Sequence, residues 1–318
     1  MQPSTPSFYL PPQGSTLAPA YDPLFNSLTA LLVFCLVLVM GAMAYFVWKY
    51  RYRGGAHMAV EISHNTALEV AWSVIPLFVV IGLFAWGFKN YLDMLIPPKD
   101  AIEIRVTGQK WSWSFEYANG ATSGNEIAVP INKPVKLIIT SNDVLHSFFI
   151  PSFRVKMDAV PKKFTVLWFQ ATQYGPQQVF CAEYCGTDHS KMLAKILVMD
   201  DADFGRWLDA HNSPGKTPVE RGAKLFQLKG CNACHAVQPD SVGGQPTIGP
   251  RLWNAFGRKE TMADGLTLEI DENYIRESIE YPNKKTVASF AAGQMPTFKG
   301  LLSDAQIGDL IAYIKSLK

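Results

Sequence analysis

Charged residues and cysteines are both scarce in this sequence, and each shortage excludes a class of protein. Only 18% of the 318 residues are Asp, Glu, Lys or Arg and 48% are apolar, a balance that favours a membrane-associated protein. The formal net charge of +2 gives no support to a nucleic-acid partner. The five cysteines form one isolated thiol and two close pairs, which excludes a disulfide framework spread over the chain. A chain of this length is expected to fold as two or three units.

Two stretches lack charged side chains altogether, residues 23–48 and residues 70–88. At about 1.5 Å of helical rise per residue, the first comfortably spans a hydrocarbon core of about 30 Å and the second just spans it. Either run alone also suits a buried core helix. Two such runs joined by a short charged loop favour a transmembrane hairpin over residues 23–98, with spans at about 23–48 and 70–95.

The charges that flank the first span predict its orientation. The loop after it carries Lys49, Arg51 and Arg53, whereas the tail before it, residues 1–22, carries only Asp22 and no basic residue. The tail therefore lacks the basic start of a cleavable signal. Because basic loops stay in the cytoplasm, we expect two spans in a bacterial cell membrane, with both termini and all that lies outside the hairpin on the periplasmic side.

The remainder of the chain divides into a β-rich part and a helical part. Residues 99–210 hold several short segments with strand-like alternation, such as the one containing Ile102 and Ile104, and predict an antiparallel sandwich or barrel. Residues 211–218 are polar and contain Pro and Gly, which is typical of a linker. Residues 219–318 have helical apolar spacing and predict a small all-α domain.

The segment CAEYCGTDHSKM at residues 181–192 combines two cysteines, a histidine and a methionine. Thiolate and thioether sulfurs are soft ligands and imidazole is borderline, a set that selects copper over hard cations. Such a site needs a second histidine from elsewhere in the chain, and His146 is the candidate. A Cys181–Cys185 disulfide is the alternative, but it leaves the histidine and the methionine unexplained.

Residues 25–200, approximately, resemble subunit II of the haem–copper oxidases, through the hairpin and through the spacing C-x-E-x-C-x3-H-x2-M. The resemblance implies a cupredoxin-like Greek-key barrel that carries the binuclear copper centre CuA, which transfers electrons. It assigns six metal ligands: Cys181 and Cys185 as bridging thiolates, His146 and Met192 on one copper, and His189 and the backbone carbonyl of Glu183 on the other.

The same resemblance implies roles for further side chains. Glu183 would also contact a magnesium ion at the border with subunit I, unless it acts only through its carbonyl. Glu69 stands where the family places a glutamate at the mouth of a proton pathway, although a carboxylate there also suits the N-terminus of a helix. Trp111 in GQKWSWSFEY matches the residue where electrons enter CuA, and the following Ser112 stands where many relatives carry an aromatic. In a strand, Trp111 would share one face with the aromatic side chains at 113, 115 and 117.

CNACH at residues 231–235 has the C-x-x-C-H spacing of covalent c-type haem attachment. A zinc or redox C-x-x-C is the alternative, but it leaves the adjoining histidine unexplained. Across residues 218–318 the sequence resembles a class I cytochrome c. The resemblance assigns haem contacts to six residues: Cys231 and Cys234 as thioethers, His235 and Met295 as axial ligands, the Pro250 carbonyl as acceptor from His235, and Arg258 near a propionate. Met262 is the rival axial ligand. An iron with His and Met on its two axial positions carries electrons and does not activate oxygen.

The order of hairpin, cupredoxin-like domain and cytochrome c domain resembles subunit II of a caa-type cytochrome c oxidase. The resemblance implies an electron-input subunit, fed by a soluble cytochrome or a quinol-oxidising complex. It would deliver electrons to subunit I, where oxygen becomes water, with subunit III as a further partner. The chain itself lacks the buried histidines that an oxygen site needs. Two alternatives stay open, the CuA-containing subunit of a nitric oxide reductase and a free-standing membrane electron carrier.

Overall fold

A computed structural model of the chain describes residues 9–54, 64–212, 215, 217–239 and 248–318. It contains two compact units, one of residues 16–96 and the other of the preceding N-terminal segment together with residues 97–318. Of the expected linker, residues 213, 214 and 216 lie outside the described ranges.

Two long helices make up the first unit. Helix α1 spans Ala18–Lys49 and α2 spans Thr66–Leu95. Both are longer than a bilayer crossing needs, and apolar side chains are exposed along most of their length. α1 begins before the expected span, and Pro19 occupies its first turn, where the missing N–H costs no hydrogen bond. The Asn90 side-chain amide donates to the carbonyl of Ala20 at 2.9 Å and joins the two helices.

The second unit begins with a sandwich of two five-stranded sheets. Its strands in chain order are β1 Ile102–Gln109, β2 Ser112–Tyr117, β3 Thr122–Gly124, β4 Glu126–Pro130, β5 Pro134–Ser141, β6 His146–Ile150, β7 Val155–Ala159, β8 Thr165–Gln170, β9 Gly175–Cys181 and β10 Leu193–Met199. One sheet has the order β3-β2-β1-β5-β8 and the other β4-β10-β9-β6-β7. Helix α3, Asp201–Asn212, follows the last strand.

Two strand pairs in this sandwich are parallel, β1 with β5 and β4 with β10, while the other paired neighbours are antiparallel. The expectation of an antiparallel sandwich or barrel therefore fails at these two pairs and holds at the others. The reason is that the chain crosses to the opposite sheet between the paired strands, so they are not joined by a hairpin. Crossings of this kind are what a Greek-key arrangement requires.

Aromatic packing between the sheets supports the strand that carries the first expected copper ligand. Trp113 and Phe148 are fully buried, and their rings meet edge to face with centroids 5.0 Å apart. The imidazole of His146, the first residue of β6, meets the Trp113 ring at 5.9 Å between centroids. The core thus fixes the direction in which β6 presents its histidine.

The N-terminal strap, residues 9–15, belongs to this second unit. The backbone N–H of Gly14 donates to the carbonyl of Ser152 at 2.8 Å. The buried guanidinium of Arg154 donates to the carbonyl of Pro11 at 2.7 Å. These bonds hold the strap along the sandwich.

The C-terminal domain, residues 219–318 and named the haem domain after the cofactor that its sequence predicts, is built mainly from helices. Its elements are α4 Pro218–Leu228, β11 Lys259–Thr261, β12 Thr267–Glu269, α5 Glu272–Glu280 and α6 Asp304–Ser316. Helix α4 thus begins one residue before the expected start of the domain. The small β11–β12 hairpin is an addition to the expected all-α domain. α4 and α6 cross at Gly222, where an added Cβ would lie 2.7 Å from the Tyr313 Cβ. The Arg221 guanidinium donates to both carboxylate oxygens of Asp309, at 2.8 and 2.7 Å, across the same crossing.

Candidate functional site

Strand order brings the predicted copper ligands together. β9 lies between β10 and β6, so the copper-site loop, residues 181–192, closes over the first residue of β6. The sulfurs of Cys181 and Cys185 are 3.8 Å apart. His146 places its Nδ1 4.0 Å from the Cys181 sulfur, and His189 places its Nδ1 3.5 Å from the Cys185 sulfur.

The two remaining predicted ligands complete the cluster. The Met192 sulfur lies 3.8 Å from the Cys185 sulfur, and the backbone carbonyl of Glu183 lies 3.3 Å from the Cys181 sulfur. His146 and Met192 are fully buried, and both cysteines are buried as well. All five cysteines of the chain lie in described ranges and none forms a disulfide, so the alternative of a disulfide in this loop is not the arrangement observed.

Charge in the cluster favours one thiolate and opposes the second. Burial would raise the pKa of Cys181, but hydrogen bonds, chiefly with His146, outweigh it and lower the pKa to about 6. Burial and the neighbouring Cys181 charge raise the pKa of Cys185 to about 12. Two adjacent thiolates therefore need a cation to be stable, because bound metal stabilises deprotonated ligands. The donor set of two thiols, two imidazoles and a thioether fits copper.

Asp143 is a supporting residue that sequence reasoning missed. Its Oδ1 lies 2.8 Å from the Nε2 of His146, and its Oδ2 accepts from the backbone N–H of Lys110 at 2.8 Å. Burial alone would lower the pKa of His146, but the bond to Asp143 raises it overall. A carboxylate on one imidazole nitrogen orients the other toward a metal. The position of Asp143, three residues before the histidine, was the available signal.

The six predicted haem residues line a single, mostly apolar cavity in the haem domain: Cys231, Cys234, His235, Pro250, Arg258 and Met295. The Nδ1 of His235 lies 2.7 Å from the Pro250 carbonyl oxygen. A Cβ added at Gly249 would lie 2.6 Å from the Cε1 of His235, so only glycine admits the imidazole there. Burial lowers the pKa of His235, which keeps the ring neutral and able to ligate iron.

The cavity distinguishes the two candidate methionines. Met295 lines it, whereas Met262 is fully buried beside the β11–β12 hairpin, where its sulfur is 3.7 Å from the Tyr274 hydroxyl. The Nε of Arg258 is buried without a hydrogen-bond partner in the described part of the chain, although its Nη2 pairs with Glu260 at 2.7 Å. An unpartnered guanidinium nitrogen in an apolar cavity fits the carboxylate of a haem propionate.

Trp111 lies between the two sites and one residue before the strand that carries the other aromatics of the predicted stripe. β2 begins one residue after it, and the three following aromatics of the stripe are packed in the sandwich core. The Trp111 ring lies over Gly186 in the copper-site loop, where an added Cβ would be 3.1 Å from the ring Cζ2. Lys110, immediately before Trp111, lines the haem cavity. One short segment therefore touches both sites.

Glu69 lies in the first turn of α2, in the first unit. Its Oε1 accepts from the backbone N–H of Asn65 at 3.3 Å, while the Asn65 side chain accepts from Leu68 at 3.1 Å. This reciprocal bonding is typical of a helix N-terminus, and it gives the carboxylate a structural role.

Profiles of three families match the chain in succession. Residues 3–89 match cytochrome c oxidase subunit II, transmembrane domain, and residues 121–199 match cytochrome c oxidase subunit II, periplasmic domain. Residues 219–318 match cytochrome c. These matches confirm the predicted fold class of a membrane hairpin, a cupredoxin-like domain and a cytochrome c domain.

Individual relatives agree with the profiles. Cytochrome c oxidase subunit 2 of Alkalihalophilus pseudofirmus is 29% identical to this chain, over 97% of this chain and 90% of the relative. The alternative cytochrome c oxidase subunit 2 of Bradyrhizobium diazoefficiens is 30% identical, over 55% of this chain and 74% of the relative. A crystal structure of the periplasmic domain of subunit II of cytochrome oxidase from Bradyrhizobium japonicum is 32% identical and covers 36% of this chain and 96% of its own, with a TM-score of 0.36. On the family profiles and the sequence relatives, the chain belongs to the cytochrome c oxidase subunit II family, in a form that carries a cytochrome c domain.

Proposed function

We propose that this membrane subunit takes electrons into its oxidase complex through a covalent haem c and a binuclear CuA centre, and delivers them to subunit I. The observation that carries the proposal is the placement of residues 110 and 111. Lys110 lines the haem cavity, and the next residue, Trp111, lies over the copper-site loop. Two redox sites joined by adjacent residues suit a relay from one to the other.

The copper centre would be held by the six residues gathered around the copper-site loop. Cys181 and Cys185 would supply thiolate ligands to two copper ions, and the bound centre would supply one-electron transfer. The fully buried His146 and Met192 keep their donor atoms fixed, and Asp143 holds the His146 ring in position.

Cys231 and Cys234 would hold the haem covalently, and His235 and Met295 would ligate its iron. The Pro250 carbonyl orients His235, and the free Nε of Arg258 would donate to a propionate. Because His235 and Met295 would both be taken up as iron ligands, the bound haem would supply electron transfer, and oxygen chemistry would belong to subunit I.

A metal and haem analysis of the purified complex tests this proposal. We expect two coppers and one covalent haem per copy of this chain. Cys181→Ser should abolish the copper spectrum and leave the haem bands unchanged, because the two sites lie in separate domains. Zinc in the copper-site loop, or a single copper with the spectrum of a blue-copper protein, would contradict the assignment. Consumption of nitric oxide without oxygen uptake would favour the nitric oxide reductase alternative.

The proposed route into the copper site runs through Trp111. Trp111→Gln should slow transfer from haem to copper while both cofactors stay fully loaded. Flash reduction of the haem, followed at the copper absorption band, measures this step. An unchanged rate would exclude Trp111 from the route.

We also propose that both domains outside the hairpin face the periplasm, where a soluble cytochrome or quinol-oxidising complex would serve as donor. The basis is the basic loop with Lys49, Arg51 and Arg53. Thiol labelling of cysteines introduced beyond residue 100 should succeed only from the periplasmic side of sealed vesicles. Labelling from the cytoplasmic side would overturn this topology.

Three finer assignments belong to the same proposal. Glu183 would contact magnesium at the border with subunit I, and subunit III would complete the complex. Glu69 would open a proton path, so Glu69→Gln should slow turnover while copper reduction stays fast. Unchanged turnover would leave Glu69 with the capping role that its bond to Asn65 supports.

A further inference from the structure

The haem domain and the β sandwich meet where neither has room for a larger side chain. Gly124 ends β3, and the last turn of α4 lies against it. A Cβ added at Gly124 would lie 2.6 Å from the carbonyl oxygen of Gln227, 2.9 Å from its carbonyl carbon and 3.2 Å from the Leu228 Cα. All three atoms are backbone, so no rotamer change could make space.

A second close contact lies beside the first. Gly230 follows α4 with φ +70°, a left-handed conformation that favours glycine. A Cβ added there would lie 2.6 Å from the Cβ of Ser112 and closer still to its hydroxyl oxygen. Ser112 is 3% exposed and immediately follows Trp111. The small side chain of Ser112 therefore admits the backbone at Gly230.

The close contacts at Gly124 and between Gly230 and Ser112 lie directly between the two sites. Gly230 precedes Cys231 of the haem motif, and Ser112 follows the residue whose ring covers the copper-site loop.

We propose that Ser112, Gly124 and Gly230 form a docking seam that holds the haem domain in one fixed position over Trp111. The proposal rests on the proposed function, and it adds the residues that position one redox domain against the other. Close backbone packing selects a discrete arrangement, as in a protein interior. A tether alone would instead supply the haem domain at an effective concentration on the order of millimolar, with docking repeated for each transfer.

The seam also decides where an external donor can bind. Because the chain's own haem domain covers the surface over Trp111, a donor protein would have access to the haem domain and not to the copper site. Electrons from such a donor would enter only through the haem.

Gly124→Ala in the full-length subunit, within the purified complex, tests the seam. Gly124 lines neither site, so haem and copper contents and spectra should stay as in the wild type. Hydrogen exchange should rise in peptides covering residues 110–114 and 224–231, the two faces of the seam. We expect the haem-to-copper rate to fall by about tenfold or more, as the docked fraction declines by that factor.

Gly308→Ala is the matched control, since Gly308 lies on an exposed part of α6 and an added Cβ meets no atom within 4 Å in the described structure. It should change neither exchange at the seam nor the transfer rate. Ser112→Val enlarges the opposite side of the seam and decides the question if Gly124→Ala impairs folding. Unchanged exchange on both faces in these variants, with an unchanged transfer rate, would overturn the docking seam. A wild-type complex without two coppers and a haem would instead refute the proposed function. That result can be told apart from failure of the seam, because hydrogen exchange at the seam does not depend on which cofactors are bound.

Discussion

Replacing Gly222 by alanine should force α4 away from α6 and lower the thermal stability of the haem domain. Besides meeting the Tyr313 Cβ at 2.7 Å, the added Cβ would lie 2.7 Å from the carbonyl carbon of Asp309 and closer still to its oxygen. Overpacking a well-packed crossing typically costs about 1–3 kcal/mol, and contact with a backbone carbonyl argues for the upper end. Alanine is better than glycine in a helix by about 0.5–1 kcal/mol, which offsets only part of this cost.

The net destabilisation is then about 2 kcal/mol. For a domain of roughly 100 residues, each kcal/mol lowers the melting temperature by about 4–8 °C, so a fall of roughly 8–16 °C is expected. The crossing also carries the Arg221–Asp309 pair, whose bidentate geometry would be lost if the helices separate. Thermal melts of the purified complex, followed by the haem absorption, measure the shift.

The control for this prediction is the same substitution on the facing helix. Gly308→Ala adds a methyl group on the exposed part of α6, so only the gain in helix propensity remains. Its melting temperature should rise by a few degrees. A Gly222→Ala protein as stable as the wild type would show that the two helices do not pack as closely as the structure has them.

Three further predictions concern the second unit. Asp143→Asn should weaken copper binding by roughly 10–100-fold, because the His146 ring loses the carboxylate that orients it; equal copper affinity would contradict this. In reduced, metal-free protein, the hydrogen bonds of Cys181 lower its pKa while burial and the Cys181 charge raise that of Cys185, so thiolate absorbance at pH 8 should equal one cysteine of the pair; two thiolates at that pH would contradict this charge effect. Arg154→Ala should loosen the N-terminal strap by removing the charged hydrogen bond to Pro11, at a cost of about 1.5–3 kcal/mol; proteolysis at the strap should then be faster than in the wild type.

The functional motifs were accessible from sequence because each is short and chemically restrictive. Three residues separate Cys181 from Cys185, and two residues separate the two thiols of the haem motif. Within such distances the chain has few ways to direct the side chains apart. The choice between Met262 and Met295 was harder, and the structure supports the loop position by placing only Met295 in the cavity.

Long-range pairing was not accessible in the same way. The parallel contacts β1–β5 and β4–β10 join strands separated by other strands in the chain, and alternation of apolar residues does not specify the partner. The sequence also did not show that Trp111 lies just outside β2. Alternation continues through the residue, but the strand begins after it and the ring turns to the copper-site loop.

The glycines show most clearly that tertiary neighbours cannot be predicted from the sequence. The sequence around Gly124, Gly222 and Gly308 does not show which of them packs closely against another part of the fold. In the structure, Gly124 packs against the backbone of another domain and Gly222 packs against a neighbouring helix, whereas Gly308 is exposed. An added methyl group is therefore expected to separate the two domains at Gly124, to destabilise the helix crossing at Gly222 and to stabilise α6 slightly at Gly308. The effect depends on which atoms the tertiary fold brings to each Cα.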